Sequence, residues 1–160
     1  MIQLVDINVV FSLLVKNHVH HPVSWEWWEK REDNSVGMCL FCRMGILRLL
    51  TNDKAMNGEA ISPEAALEAW DAFSADPRTL WVAVPERSHE MYFRRYVTGR
   101  KPTPNLWTDA WLAALAESTA MGLTSFDSGF NKFQIKDFEL LQGGIFYREA
   151  IKGYKMGLTR

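Results

Sequence analysis

Short apolar runs alternate along the chain with stretches whose apolar residues recur at helical spacing, and that alternation sets the expected fold. Ile2-Gln3-Leu4-Val5 reads as a strand covered on both faces. Asn8 to Val15 follows as a helix lying against it. Pro22 restarts the chain, and Trp25, Trp27 and Trp28 among Glu26, Glu29 and Lys30 predict an amphipathic helix with an aromatic side. Asp33-Asn34-Ser35 is a turn signal. Val36 to Phe41 reads as a second buried strand, and Arg43 to Leu50 as a helix with Met44, Leu47 and Leu50 on one side.

Asn57-Gly58 marks a loop turn. Ser62-Pro63-Glu64-Ala65 predicts a helix start capped by Ser62, with Leu67, Trp70 and Phe73 as its inward stripe. Asp76-Pro77 stops it. Thr79 to Val84 is a third strand, and a helix runs from the Ser88–Met91 region to about Val97. Residues Gly99 to Asn105, with Pro102 and Pro104, form an exposed loop. Thr108 to Thr119 is a helix capped by Thr108, with Asp109 in its first turn and Gly122 as its stop. Leu123 to Phe126 is a fourth strand, turned sharply by Asp127-Ser128-Gly129-Phe130. Gly143-Gly144 breaks the last third, and Ile145-Phe146-Tyr147 is a candidate fifth strand. The alternation of strands and helices predicts a parallel sheet with helices on both faces, in one domain over residues 1–160.

Composition narrows the class. A chain of 160 residues, 48% hydrophobic and 23% charged, can bury a full core as an ordinary globular protein. No apolar run approaches the roughly 20 residues that span a bilayer. The opening Met1-Ile2-Gln3-Leu4-Val5-Asp6 lacks a basic secretory n-region, so the cytoplasm is the expected location. A net charge of −1 requires any nucleic-acid contact to come from a local patch. Arg87, Arg94, Arg95, Arg100 and Lys101 supply one, with a solvated helix face as the plainer reading.

Three features have two readings each. Cys39 and Cys42 have redox or metal spacing, but their apolar neighbours and the missing second pair favour buried small hydrophobes. His18, His20 and His21 form a metal tract or a helix-end loop, and the loop is favoured by Pro22. The tryptophans form a base-stacking platform or core and dimer packing, with packing favoured.

The candidate chemistry lies in three distant aspartates. Asp6 ends the first strand, Asp127 ends the fourth, and Asp109 opens a helix. In an open parallel sheet such positions meet in the crevice beyond the carboxyl ends of the strands. Three carboxylates together repel unless a cation joins them, and a hard divalent ion takes oxygen ligands. Asn8, in Asp6-Ile7-Asn8, braces the turn, and the Thr108 hydroxyl can cap the helix and bond a ligand water. A hydrolase using Asp6 as nucleophile lacks the accompanying lysine motif and cap insertion.

The Leu-Val-Asp-Ile-Asn-Val opening, the segment Cys39 to Asn52 with Met44-Gly45-x-Leu47-Arg48-Leu49-Leu50-Thr51-Asn52, Thr108 to Ala116, and Ser125 to Phe130 together resemble PIN-domain ribonucleases. The resemblance spans nearly the whole chain and is greatest to the VapC toxins of bacterial toxin–antitoxin pairs. It implies a three-layer α/β/α sandwich with a mostly parallel sheet of four to five strands. It also implies Mg²⁺ or Mn²⁺ dependence, endonucleolytic RNA cleavage, homodimers, and inhibition by a cognate VapB-like antitoxin.

Of the family's four acidic positions, Asp6, Asp109 and Asp127 match the first, third and fourth. Arg43, two residues before Gly45, falls at the second. Three roles stay open for it: a ligand of substrate phosphate, a partner of Asp6 or Asp109, or a side chain turned away. The departure also raises a second function, a weakened PIN-like module that binds RNA or protein. In the active reading, Asp6, Asp109 and Asp127 hold the ions and orient water, while Arg94, Arg95, Arg100 and Lys101 hold flanking RNA backbone.

Overall fold

A computed structural model of the chain describes residues 1–142. Its sheet is five-stranded and parallel, in the order β3-β2-β1-β4-β5. The strands are β1 (Gln3–Val5), β2 (Val36–Met38), β3 (Thr79–Trp81), β4 (Gly122–Ser125) and β5 (Phe138–Leu140). The helices are α1 (Ile7–Leu14), α2 (His21–Glu29), α3 (Leu40–Leu50), α4 (Pro63–Ser74), α5 (Glu86–Val97) and α6 (Leu106–Ser118). A 3₁₀ turn covers Ser128–Phe133.

The chain steps outward from β1 through β2 to β3, then returns across β1 to β4. Right-handed crossovers in opposite directions place their helices on opposite faces of the sheet. Accordingly α1 packs against α2 and α3, and α3 against α4, while α5 packs against α6. This is the expected three-layer α/β/α sandwich. The reversal of strand order falls between β1 and β4, which is where a ligand crevice opens in such sheets.

The core is continuous. Leu4, Val5, Val9, Val10, Val36 and Leu123 are fully buried around the central strands. Ala110, Ala113, Ala114 and Ala116 on α6 are also fully buried, and their small size lets that helix lie close to its neighbours. Trp27 and Trp28 are buried, Trp28 against Phe73, so the packing reading holds for both; Trp25 stays 46% exposed. Gly45 on α3 faces Ile7 on α1, and a Cβ there would collide with the Ile7 side chain. The close approach of α1 and α3 depends on that missing carbon.

Several boundaries differ from the sequence reading. The expected strand Val36 to Phe41 stops at Met38, and Cys39 caps α3. A buried strand and a buried helix start are both apolar, so hydrophobicity alone does not mark the junction. In α4 the buried positions are Ala66, Trp70 and Phe73, while Leu67 is 41% exposed; helical geometry puts residue 66 rather than 67 in line with 70 and 73. Gly122 begins β4, and the turn out of α6 is made by Ala120 at φ 54°. The edge strand β5 was not anticipated, and the candidate strand Ile145–Tyr147 lies outside the described residues. Cys39 and Cys42 are free, buried thiols. No helix among the described residues is long and apolar enough to cross a membrane.

Candidate active site

Asp6 directly follows β1 and caps α1: its Oδ1 accepts the Ile7 backbone N–H at 2.7 Å. Its Oδ2 accepts from Asn8 Nδ2 at 2.7 Å and from Ser125 Oγ at 2.6 Å. Ser125, the last residue of β4, also accepts from the Asp127 backbone N–H at 2.9 Å. Asn8 Oδ1 accepts the Phe126 N–H at 3.2 Å, so its amide spans both strands' ends. One hydroxyl and one amide thus tie the Asp6 and Asp127 turns together at the switch point. Asp127 caps the 3₁₀ turn, its Oδ1 accepting from the Gly129 N–H at 2.7 Å.

Asp109 comes from the other face of the sheet, in the first turn of α6, and is buried. Burial pushes the Asp6 carboxyl up from 3.8 to about 6, and the Asp109 and Asp127 carboxylates add to the rise against the hydrogen bonds that lower it. Asp6 therefore lies within the fields of both other acids.

Lys132, absent from the sequence-derived site, stands in this cleft. Its Nζ donates to Asp109 Oδ2 at 2.8 Å. Among the described residues it is the only cation paired with any of the three acids. Asp109 and Lys132 are 23 residues apart, and only the 3₁₀ turn after Asp127 brings them together. A basic residue shortly after a strand-ending acid was the only signal in the sequence, and it has no specificity on its own.

Arg43 makes no ion pair with Asp6 or Asp109 among the described residues, and its Nε is buried without a hydrogen-bond partner. Its neighbour Cys42 is fully buried in the core, where burial first, then Cys39 and Asp6, hold its thiol well above the ordinary range. Thr108 does not cap α6. Asn105 holds the N-cap position without a side-chain cap bond, since the helix starts three residues early, where Leu106 is buried; the Thr108 hydroxyl donates to the Asn105 carbonyl at 3.0 Å.

The basic segment divides. Arg94 pairs with Glu90 at 2.6 Å on the exposed face of α5, and Arg95 and Lys101 are exposed. Arg100, also exposed, is tied down: its guanidinium donates to the Tyr96 and Lys132 carbonyls, each at 2.7 Å, and lies 5.0 Å from the Phe133 ring centre. His18 and His20 lie in the turn before α2 and His21 opens that helix; burial lowers the pKa of His18 and His20. The His20 ring stacks on Phe126 at 4.4 Å, beside Asp127.

The donor set fits a small hard cation. Among the described residues no three His, Cys, Asp or Glu side chains close around a single point. A magnesium-like ion does not need such a cage, since one or two carboxylates and retained waters hold it. Asp6 and Asp127 would supply those carboxylates, with Asp109 facing them. Beside the cleft, Ile7 and Thr108 border an open groove of about 660 Å³ that includes Phe41, Met44 and Leu67 and is mainly apolar.

No family model matches the chain. Ribonuclease VapC41 of Mycobacterium tuberculosis is 31% identical over 144 residues, which cover 86% of this chain and 97% of that protein. The fold is similar to that of M. tuberculosis VapC20, described as a sarcin–ricin loop cleaving toxin, with a TM-score of 0.60 and 16% identity over 84% of this chain and 96% of that one. It is similar, too, to VapBC2 from Rickettsia felis bound to promoter DNA, with a TM-score of 0.61 and 14% identity over 89% of this chain and all (100%) of that one. VapBC-1 from nontypeable Haemophilus influenzae gives a TM-score of 0.60 at 17% identity, over 89% of this chain and 98% of that one. With that identity over nearly the full length of VapC41, and with this fold, the chain belongs to the VapC family of PIN-domain ribonucleases.

Proposed function

We propose that the protein is a Mg²⁺- or Mn²⁺-dependent endoribonuclease acting as the toxin of a toxin–antitoxin pair. The observation that carries this reading is the convergence of Asp6, Asp109 and Asp127 at the β1–β4 switch point, with Asp6 and Asp127 joined through Ser125. Asp6 and Asp127 would hold the ion. When bound, the ion would lower the pKa of a water and offset charge gathering on the phosphate oxygens. Asn8 and Ser125 fix the Asp6 carboxylate in one rotamer, so the site is ordered before RNA arrives. Asp109 would hold an ion as well or orient the attacking water. Exposed Arg95 and Lys101, with Arg94, hold the flanking backbone.

The test is cleavage of a structured RNA with and without Mn²⁺, in wild type and in Asp6→Asn. The variant is expected to lose cleavage and the growth arrest that accompanies expression. Persistence of both in Asp6→Asn would overturn the assignment.

The antitoxin proposal draws support from the VapBC complexes among similar folds and from the apolar groove beside the cleft. An antitoxin seated there would cover Met44 and Leu67, which are otherwise exposed. A homodimer is supported by exposed Trp81, Met91 and Trp107, with sedimentation as its check. The place of action is the cytoplasm. One observation favours a second reading, a weakened RNA- or protein-binding module: α3 carries no carboxylate, and Arg43 stands at the second acidic position. RNA retention without Mn²⁺-dependent cleavage would select that reading.

A further inference from the structure

The acid cleft contains a cation that the chain itself supplies. Lys132 Nζ sits 2.8 Å from Asp109 Oδ2, and the two side chains are 31% and 12% exposed, so salt screens the pair only partly. The lysine is held in place from behind. Arg100 Nη2 donates to its carbonyl at 2.7 Å, and Arg100 Nε is fixed in turn on the Tyr96 carbonyl at the end of α5. Phe133 gives the ammonium an aromatic neighbour, with 4.8 Å between Nζ and the ring centre. The turn closes at Gln134, at φ 55°. Lys132 is therefore presented to Asp109 by a braced turn and does not reach it on a free loop.

Resting on the metal-dependent reading above, we propose that Lys132 is a tethered competitor of divalent ions, holding the Asp109 oxygen that an ion shared with the Asp6–Asp127 side would need. An ammonium and a dication on one carboxylate repel each other strongly at contact distance, so pairing and ion binding exclude one another. Lys132 thus sets how much free metal the protein requires. Among the described residues Asp6 and Asp127 have no such partner, so there the competition acts on Asp109.

The test is Mn²⁺ titration by calorimetry on the metal-stripped full chain. Lys132→Met is expected to bind Mn²⁺ roughly two- to fivefold more tightly than wild type, the range for losing a partly shielded ion pair. Lys132→Arg, which keeps the charge and the pair, should stay near wild type. Lys136→Met, a charge loss at an exposed site four residues on, should also stay near wild type. In an Asp109→Asn background, Lys132→Met should change nothing, since the contested oxygen's charge is gone.

Wild-type affinity in Lys132→Met, alongside weakened binding in Asp6→Asn, would overturn the competitor role and leave the metal site standing. Equal tightening in Lys136→Met would reduce the effect to general charge and overturn it as well. No Mn²⁺ binding by any variant would overturn both this proposal and the metal reading. If Lys132→Met loses its circular-dichroism signature of folding, Lys132→Gln makes the same comparison.

Discussion

The β1–β4 side of the cleft and its α6 side hold their carboxylates by different means. Asp6 and Asp127 are fixed by neutral donors: two backbone N–H groups, the Asn8 amide and the Ser125 hydroxyl. Asp109 is fixed by a full positive charge. Neutral donors orient a carboxylate and leave its charge available to an incoming cation. An ammonium orients it as well but offsets that charge. One side is built to receive an ion, and the other is already compensated.

Removing the acids tests that contrast hardest. Asp6→Asn or Asp127→Asn should cut metal-dependent cleavage by about a hundredfold or more, measured as initial rates on a defined RNA. A mild loss would mean that the neutral-donor side is not where the reaction is supported. Ser125→Ala comes next. It removes the hydroxyl that serves both Asp6 and the Asp127 turn, and should cost about 10- to 100-fold in Mn²⁺ affinity or activity. Equal activity in Ser125→Ala and wild type would show that Asn8 alone fixes the pair.

The pH dependence of stability follows from Asp6. Its carboxyl titrates at about 6 in the folded protein against an ordinary 3.8. Between those values the folded chain keeps a proton that the unfolded chain has lost. Raising the pH through this window therefore removes stability, by at most about 3 kcal/mol, and below it the penalty vanishes. Metal-free wild type should melt at progressively lower temperature from pH 3.8 to 6, and Asp6→Asn should lack that component. Parallel curves for the two proteins would assign the slope elsewhere.

The smallest effect is expected at Arg43. Met keeps the aliphatic stem and removes a buried Nε that has no partner, so Arg43→Met should be neutral or stabilising by up to about 1 kcal/mol in urea unfolding. A loss of several kcal/mol would reveal a partner for that guanidinium.

What the sequence disclosed of this site tracks chain distance. Asp6 and Asp127 were legible because each ends a short apolar strand, and strand ends of a parallel sheet share one edge. Asp109 was legible from its place at a helix start. Lys132 was not, because its role depends on a single turn of 3₁₀ geometry and on Arg100 bracing it from another helix. The same fact gives Arg100, which charge clustering grouped with the RNA-facing basics, a bracing contact the sequence did not show. Three roles stayed open for Arg43, and among the described residues it makes no ion pair with Asp6 or Asp109. Helical phase sets where its guanidinium points, and the unmarked junction at Cys39 hid that phase. The edge strand β5 was missed because Phe138-Glu139-Leu140 is too short for its alternation to stand out, and Glu139 is drawn inward by Trp27 Nε1 at 2.8 Å.

Gly45 has influence out of proportion to its size, because the Ile7 side chain fills the place its Cβ would take. Any larger residue there displaces that side chain first, and the backbone N–H of Ile7 is what anchors Asp6 Oδ1. A single added methyl group, carrying no charge and touching no acid, would thus put its strain one residue from the carboxylate.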